Sequence, residues 1–163
     1  MKKSVFLDVL IILLVLAAAC QRLGSEKIPG VDLPLEEMND GLSLSAPPEL
    51  SSFQMGDNLR LVLVNSSDQL IILPQDFGVL IFQEVEGKWE TIENWIEYPT
   101  GEKNVYPGED QPFREVIVVV HPVVFSEEPV TVRIVVVGNY YDEISDTKGK
   151  QVGAFIDITL KLK

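Results

Sequence analysis

One cysteine, Cys20, and one histidine, His121, are all that the 163 residues contain of two side chains much used in metal and nucleophilic chemistry. A single cysteine excludes an intrachain disulfide. A zinc site of Cys and His ligands would lack its donors. Any nucleophile–base pair of the Ser-His kind would have to use His121, which stands before Pro122 in a turn signal. No G-x-S-x-G motif and no glycine-rich phosphate loop accompanies it. Basic residues are also scarce. The 13 Lys and Arg face 25 Asp and Glu, a net charge of −12. Phosphate recognition needs a basic face, so nucleic acid is not an expected partner. Anionic lipid headgroups would repel such a chain. Long apolar runs are missing too: the longest, residues 9–19, has 11 residues, against the roughly 20 of a spanning helix.

What the N-terminus does contain is a basic start, Met1-Lys2-Lys3, that short apolar stretch, and small residues at its end. This is the pattern of an export signal. The segment Leu16-Ala17-Ala18-Ala19-Cys20 resembles the lipobox of bacterial lipoprotein precursors, with its leucine one place earlier than usual. The resemblance implies cleavage between Ala19 and Cys20, a diacylglyceryl group on the Cys20 thiol, and an acylated new amino terminus. Ala17-Ala18-Ala19 also fits the A-x-A rule of ordinary signal peptidase. Both readings cut the same bond and differ in whether Cys20 carries lipid. A lone free thiol at an exported terminus would oxidise or cross-link, which favours lipidation. Two or more acyl chains give stable anchoring where one gives marginal binding. The expected location is therefore outside a bacterial membrane, at the cell surface or facing the periplasm. Gln21 replaces the aspartate that, in the family, implies inner-membrane retention.

Residues 20–39 lack periodicity and contain Pro29, Gly30, Pro34 and Glu36-Glu37. They read as a tether spanning about 25 Å as coil; alternatively, part of the stretch packs as an irregular first strand. Residues 40–163 read as one all-β domain. From Cys20 onward valine occurs 18 times and alanine twice, a balance that disfavours helix and favours strand. Turn signals recur, at Met55-Gly56-Asp57-Asn58, Asn65-Ser66-Ser67-Asp68, Glu86-Gly87, Tyr106-Pro107-Gly108 and Gly138-Asn139 among others. Between them Leu59, Leu61 and Leu63 alternate with Arg60, Val62 and Val64, and residues 79–85 and 88–92 flank Glu86-Gly87 as a hairpin. At the C-terminus Val152, Ala154, Ile156, Ile158, Leu160 and Leu162 face one way, and Asp157, Thr159 and Lys161 the other. Seven or eight such strands predict a Greek-key β-sandwich. The pattern looks like the immunoglobulin-like class in general, without the Cys…Trp…Cys core of antibody domains. Residues 117–120 and 134–137 are apolar on both faces. They are expected to be central strands with a loop over their outer face, or else a partner surface.

No cofactor is expected. Asp142, Glu143 and Asp146 in one stretch, and Glu109-Asp110 in another, match no calcium-loop spacing and read as solvated acidic surface. Trp89 and Trp95 are expected in or near the core. With Tyr98, Tyr106, Tyr140 and Tyr141 they are also the aromatics available for a glycan platform. Asn65-Ser66-Ser67 matches a glycosylation acceptor pattern that has no use in a bacterial setting. Residues 138–150 are expected to be a long loop between the last two strands. Its Tyr140, Tyr141, Asp142 and Glu143 are the candidate partner-binding residues, since tyrosine supplies contact area at low entropic cost. The sequence therefore points to a non-catalytic, lipid-anchored binding or envelope-structural module. A protease-inhibitor module or a glycan-binding module are the alternatives. Intact mass of the detergent-extracted protein should show a diacylglyceryl group on an N-terminal Cys20, and Cys20→Ala should block processing. An unmodified, freely soluble chain beginning at Cys20 would refute the lipid anchor.

Overall fold

The computed structural model describes residues 28–46, 53–54, 56–107, 113–121 and 128–161. Ala19, Cys20 and the export signal, Glu109-Asp110, Pro122 and Leu162 lie outside them. The chain divides into two units, Met1–Glu36 and Glu37–Lys163. In the first, the Val31 amide donates to the Ile28 carbonyl at 3.1 Å, and Ile28, Val31 and Leu33 are buried. A single 3-10 turn, Leu35–Glu37, follows.

The rest is all-β. The strands are β1 (Leu42–Ser45), β2 (Phe53–Gln54), β3 (Asn58–Asn65), β4 (Ile71–Leu73), β5 (Val79–Val85), β6 (Lys88–Ile92), β7 (Lys103–Val105), β8 (Phe113–Val119), β9 (Val130–Asp142) and β10 (Thr147–Lys161). One sheet has the order β1-β3-β8. In the other, β9 lies between β10 on one side and β4 and β5 on the other, with β7 beyond β4 and β6 beyond β5. Pairing is antiparallel except between β2 and β10. The two sheets share one hydrophobic core, the arrangement of a β-sandwich.

The named strands outnumber the seven or eight expected because β4 and β5 are one sheet position interrupted. Ile71 and Ile72 pair with Tyr140 and Asn139, and residues 79–83 pair with Val136 back to Val132. Between them stands Pro74, which has no amide to continue the ladder. The chain makes a turn there, with the Phe77 amide on the Pro74 carbonyl at 2.9 Å, and then rejoins the same edge of β9. The partner position is divided likewise into β6 and β7.

Alternation fills the core as the side-chain period of two requires. Leu59, Leu61 and Leu63 from β3 meet Val132, Ile134 and Val136 from β9 and Ala154, Ile158 and Leu160 from β10, all buried. Asp157, Thr159 and Lys161 are exposed. The expected hairpin forms between β5 and β6, with Glu86 and Gly87 both at positive φ, as a tight two-residue hairpin turn requires.

Three expectations are corrected. Gly138-Asn139 is not a turn but lies inside β9. Glycine is needed there because β4 crosses close: a Cβ on Gly138 would meet Leu73 Cδ2 at 2.5 Å and the Ile72 carbonyl at 2.8 Å. Residues 117–120 are not in a central strand, since β8 is an edge of the smaller sheet. Its free edge is occupied by side chains. The Tyr98 hydroxyl donates to the Ile117 carbonyl at 2.5 Å, and the Val119 amide donates to Asn94 Oδ1 at 3.3 Å. Burial pushes the Tyr98 phenol above its ordinary range, so it stays protonated and a donor. Neither tryptophan is in the main core. Trp95 is 68% exposed and stacks on His121 at 4.5 Å. Trp89 lies on the outer face of the larger sheet under the Arg133 guanidinium, 4.2 Å from its ring centre. Arg133 in turn forms a two-pronged pair with Asp157 at 2.7 and 2.9 Å.

The two faces of β10 can be separated by substitution. Ile158→Asp puts a carboxylate into the core and should cost about 3–5 kcal/mol, whereas Lys161→Glu should shift stability by no more than ~0.5 kcal/mol. Urea unfolding of both variants checks this, and equal effects would contradict the face assignment.

Candidate functional site

Tyr140, Tyr141, Asp142 and Glu143 come together on one feature, but not on a long loop. β9 runs to Asp142 and β10 starts at Thr147, so residues 138–150 form a hairpin closed by four residues, 143–146. The ladder continues because Tyr141 still pairs with Lys148, and its amide donates to the Leu70 carbonyl at 2.8 Å. One extra residue on β10 between Lys148 and Gln151 makes a bulge.

The turn is tied by side chains. Asp142 Oδ1 accepts the Ile144 amide at 3.0 Å, and its Oδ2 accepts the Ser145 hydroxyl at 2.7 Å. These bonds hold the Asp142 carboxyl below its ordinary range, the Ser145 contact contributing most. Asp146 takes a positive φ, which a short Asp tolerates, and accepts a hydrogen bond from the Tyr141 hydroxyl. That bond to a carboxylate, ahead of the other nearby acids, raises the Tyr141 phenol above its ordinary range. Asp142 and Asp146 therefore serve as turn caps. Among the described residues, no group of three or more His, Cys, Asp or Glu is placed to hold a metal ion.

Beside the hairpin runs an open groove of about 750 Å³. One wall is Tyr141, Asp142, Glu143, Ile144, Gly149 and Lys150; the other is Asp68, Gln69, Leu70, Tyr106 and Pro107, with Tyr140 between them. Tyr140 packs against the core, and its hydroxyl lies 2.5 Å from where a Cβ on Gly41 would stand. Tyr106 is 42% exposed and Ile144, at the tip, 99%. The volume is within the range of small-molecule and peptide sites.

The opposite wall is fixed by Asn65 at the end of β3. Its carboxamide donates to the Gln69 carbonyl at 2.8 Å and to the Val105 carbonyl at 2.9 Å. Its Oδ1 accepts from the Ser67 amide at 3.0 Å and hydroxyl at 2.6 Å. With every bonding position used and the residue 2% exposed, this amide is not available as a glycan acceptor in the folded chain.

The sequence pointed to the four hairpin residues and, of the other wall, only to Tyr106 as one of the aromatics for a glycan platform; Asp68, Gln69, Leu70 and Pro107 were not placed at a site. Both segments that supply it, 65–70 and 106–107, carry or adjoin turn signals in the sequence, but only the strand order brings them to the hairpin. Compared with protein-family models, with the curated proteins and with the solved structures, the chain finds no match in any of the three.

The hairpin's bonds have a pH window. Asp142 titrates lower folded than unfolded, so its contribution is present above the ordinary carboxyl range near 4 and is lost as pH falls through its depressed value. Tyr141 titrates higher folded than unfolded, so its contribution is present below about 10 and is lost as pH rises through its raised value. Ultraviolet titration, with Tyr141→Phe to isolate the signal, should show the Tyr141 midpoint falling in Asp146→Asn. An unmoved midpoint would show that the Tyr141–Asp146 bond is absent in solution.

Proposed function

We propose that the chain is a lipid-anchored, extracytoplasmic binding or envelope-structural module, without catalytic activity, whose recognition element is the groove beside the β9–β10 hairpin. The observation that carries this reading is the groove itself, walled by tyrosines and held by a turn whose side chains bond to one another. Rigid aromatic contact surface of this kind is what protein recognition favours. The anchor is supported by Cys20 following Ala17-Ala18-Ala19. No helix among the described residues is long and apolar enough to cross a membrane. An immunoglobulin-like Greek key is the topology we infer. Its support is the strand order, with β1 and β2 assigned to different sheets, β2 parallel to the last strand, and β3 beside β8 rather than β4.

A second reading is favoured by one feature. Ile144 stands fully exposed at the hairpin tip, where a protease-inhibitor module would present a side chain to an enzyme cleft. Stoichiometric inhibition of a protease from a panel, lost in Ile144→Asp, would select that reading.

A photo-crosslinker placed at Ile144 should give discrete adducts in whole cells, and one at Lys88 in the β5–β6 hairpin should not. Identical patterns from both positions, or none from either, would refute the groove as a recognition element.

A further inference from the structure

We propose that the groove takes a cationic segment of a partner polypeptide, one that lays Lys or Arg side chains between Asp68 and Glu143 and against the tyrosine walls. The proposal rests on the binding-module reading above and adds the chemistry of the partner. Three carboxylates line the groove, those of Asp68, Asp142 and Glu143, against one amine, that of Lys150. The local amines are already matched. Lys150 Nζ is 3.1 Å from Glu37 Oε2, and Lys148 Nζ is 2.8 Å from Glu102 Oε1. Among the described residues, neither Asp68 nor Glu143 has a hydrogen-bond or ion-pair partner. Asp142 spends its oxygens on the turn and, with its carboxyl held ionised, keeps its negative charge.

An anionic segment would meet this charge unpaired, at a cost in affinity and in encounter rate. A neutral glycan would stack on the tyrosines and leave the carboxylates without a counter-charge. A guanidinium or ammonium satisfies both features: it pairs with Asp68 and Glu143, and it lies favourably over the faces of Tyr106 or Tyr141. Leu70, Pro107 and Ile144 offer apolar contact to the stems of such side chains, which are themselves aliphatic. The groove is open at the surface, so an extended segment can enter it without rearrangement of the sandwich.

The test uses the full chain in detergent and a fluorescein-labelled hexa-arginine peptide, read by anisotropy. Two variants remove the same formal charge: Asp68→Asn with Glu143→Gln in the groove, and Glu84→Gln with Glu90→Gln, two exposed residues of the β5–β6 hairpin. The groove variant should weaken binding about tenfold, and the distant one by less than about threefold, since each exposed charge contributes up to ~1 kcal/mol. Tyr106→Ala should also weaken it. Equal weakening by both variants would mean that the peptide responds to overall charge, and would overturn the proposal. So would absence of binding, or binding of a neutral oligosaccharide that depends on Tyr106 but not on Asp68 and Glu143. If cross-linking from Ile144 persists in either case, the binding-module reading stands and only the cationic partner falls.

Discussion

The carboxamide of Asn65 is the contact on which the groove end of the sandwich depends. It sits at the end of β3, in the smaller sheet, and holds the Val105 carbonyl of β7, in the larger one. It also closes the 65–69 turn on itself through Ser67 and Gln69. A truncated side chain here would remove the donor to the buried Val105 carbonyl, and an unsatisfied buried group costs about 1–3 kcal/mol. The consequence is also spatial. Gln69 is followed by Leu70, whose carbonyl receives the Tyr141 amide, and Val105 is followed by Tyr106. One buried amide thus sets the distance between the wall of the groove and the hairpin that faces it. The 66–67 amides add to this by donating to the Gly41 carbonyl, which brings Gly41 under the Tyr140 hydroxyl.

The same economy of contacts explains how so valine-rich a chain avoids open sheet edges. β9 is flanked on both sides along most of its length, and its one glycine lets β4 come close enough to share that protection with β5. β8 is an edge strand that ends, with Val120 just after it, in a run of four β-branched residues, 117–120, the sort of segment that pairs with other chains when left bare. Here the loop after β6 reaches across and places Asn94 and Tyr98 on its free backbone groups. The Asn94 amide also donates to the Tyr98 hydroxyl at 2.9 Å. This orients the hydroxyl proton toward Ile117. Phe77 packs edge-on against the Tyr98 ring, so the plug is held by aromatic packing as well as by polar bonds.

Much of the architecture was legible because period-two patterning is a local property. The faces of β3, β9 and β10, and the Glu86-Gly87 hairpin, follow from neighbours two residues apart. The failures share a different origin. Gly138 carries the same letter as a turn glycine, and only the approach of Leu73 and Ile72 shows that it is a packing glycine. The run at 117–120 looks like a doubly buried strand. Side chains more than 18 residues away in sequence protect it instead, and no local pattern records them. Trp95 looks like core by composition, yet it stands outside on His121.

The site was legible by half, for the same reason. Tyr140 to Glu143 are consecutive, so their joint presentation needed only that they lie near one turn. Whether that turn was a mobile loop or a bonded hairpin depended on Asp142, Ser145, Thr147 and Asp146, whose spacing allows each to reach its neighbour's backbone or hydroxyl. Such Asx-type capping is a local signal and could have been read from the sequence. Asp68 and Tyr106 are another matter. They reach the groove because β4 and β7 lie beyond β9 in the larger sheet, on the side away from β10. That order is a property of the whole fold. The acidic character of the groove is likewise not the sum of its own residues, since Lys148 and Lys150 would offset it were they not already paired with Glu102 and Glu37. What the hairpin offers a partner is therefore fixed by residues more than forty positions away in sequence, and the hairpin's own composition is close to neutral.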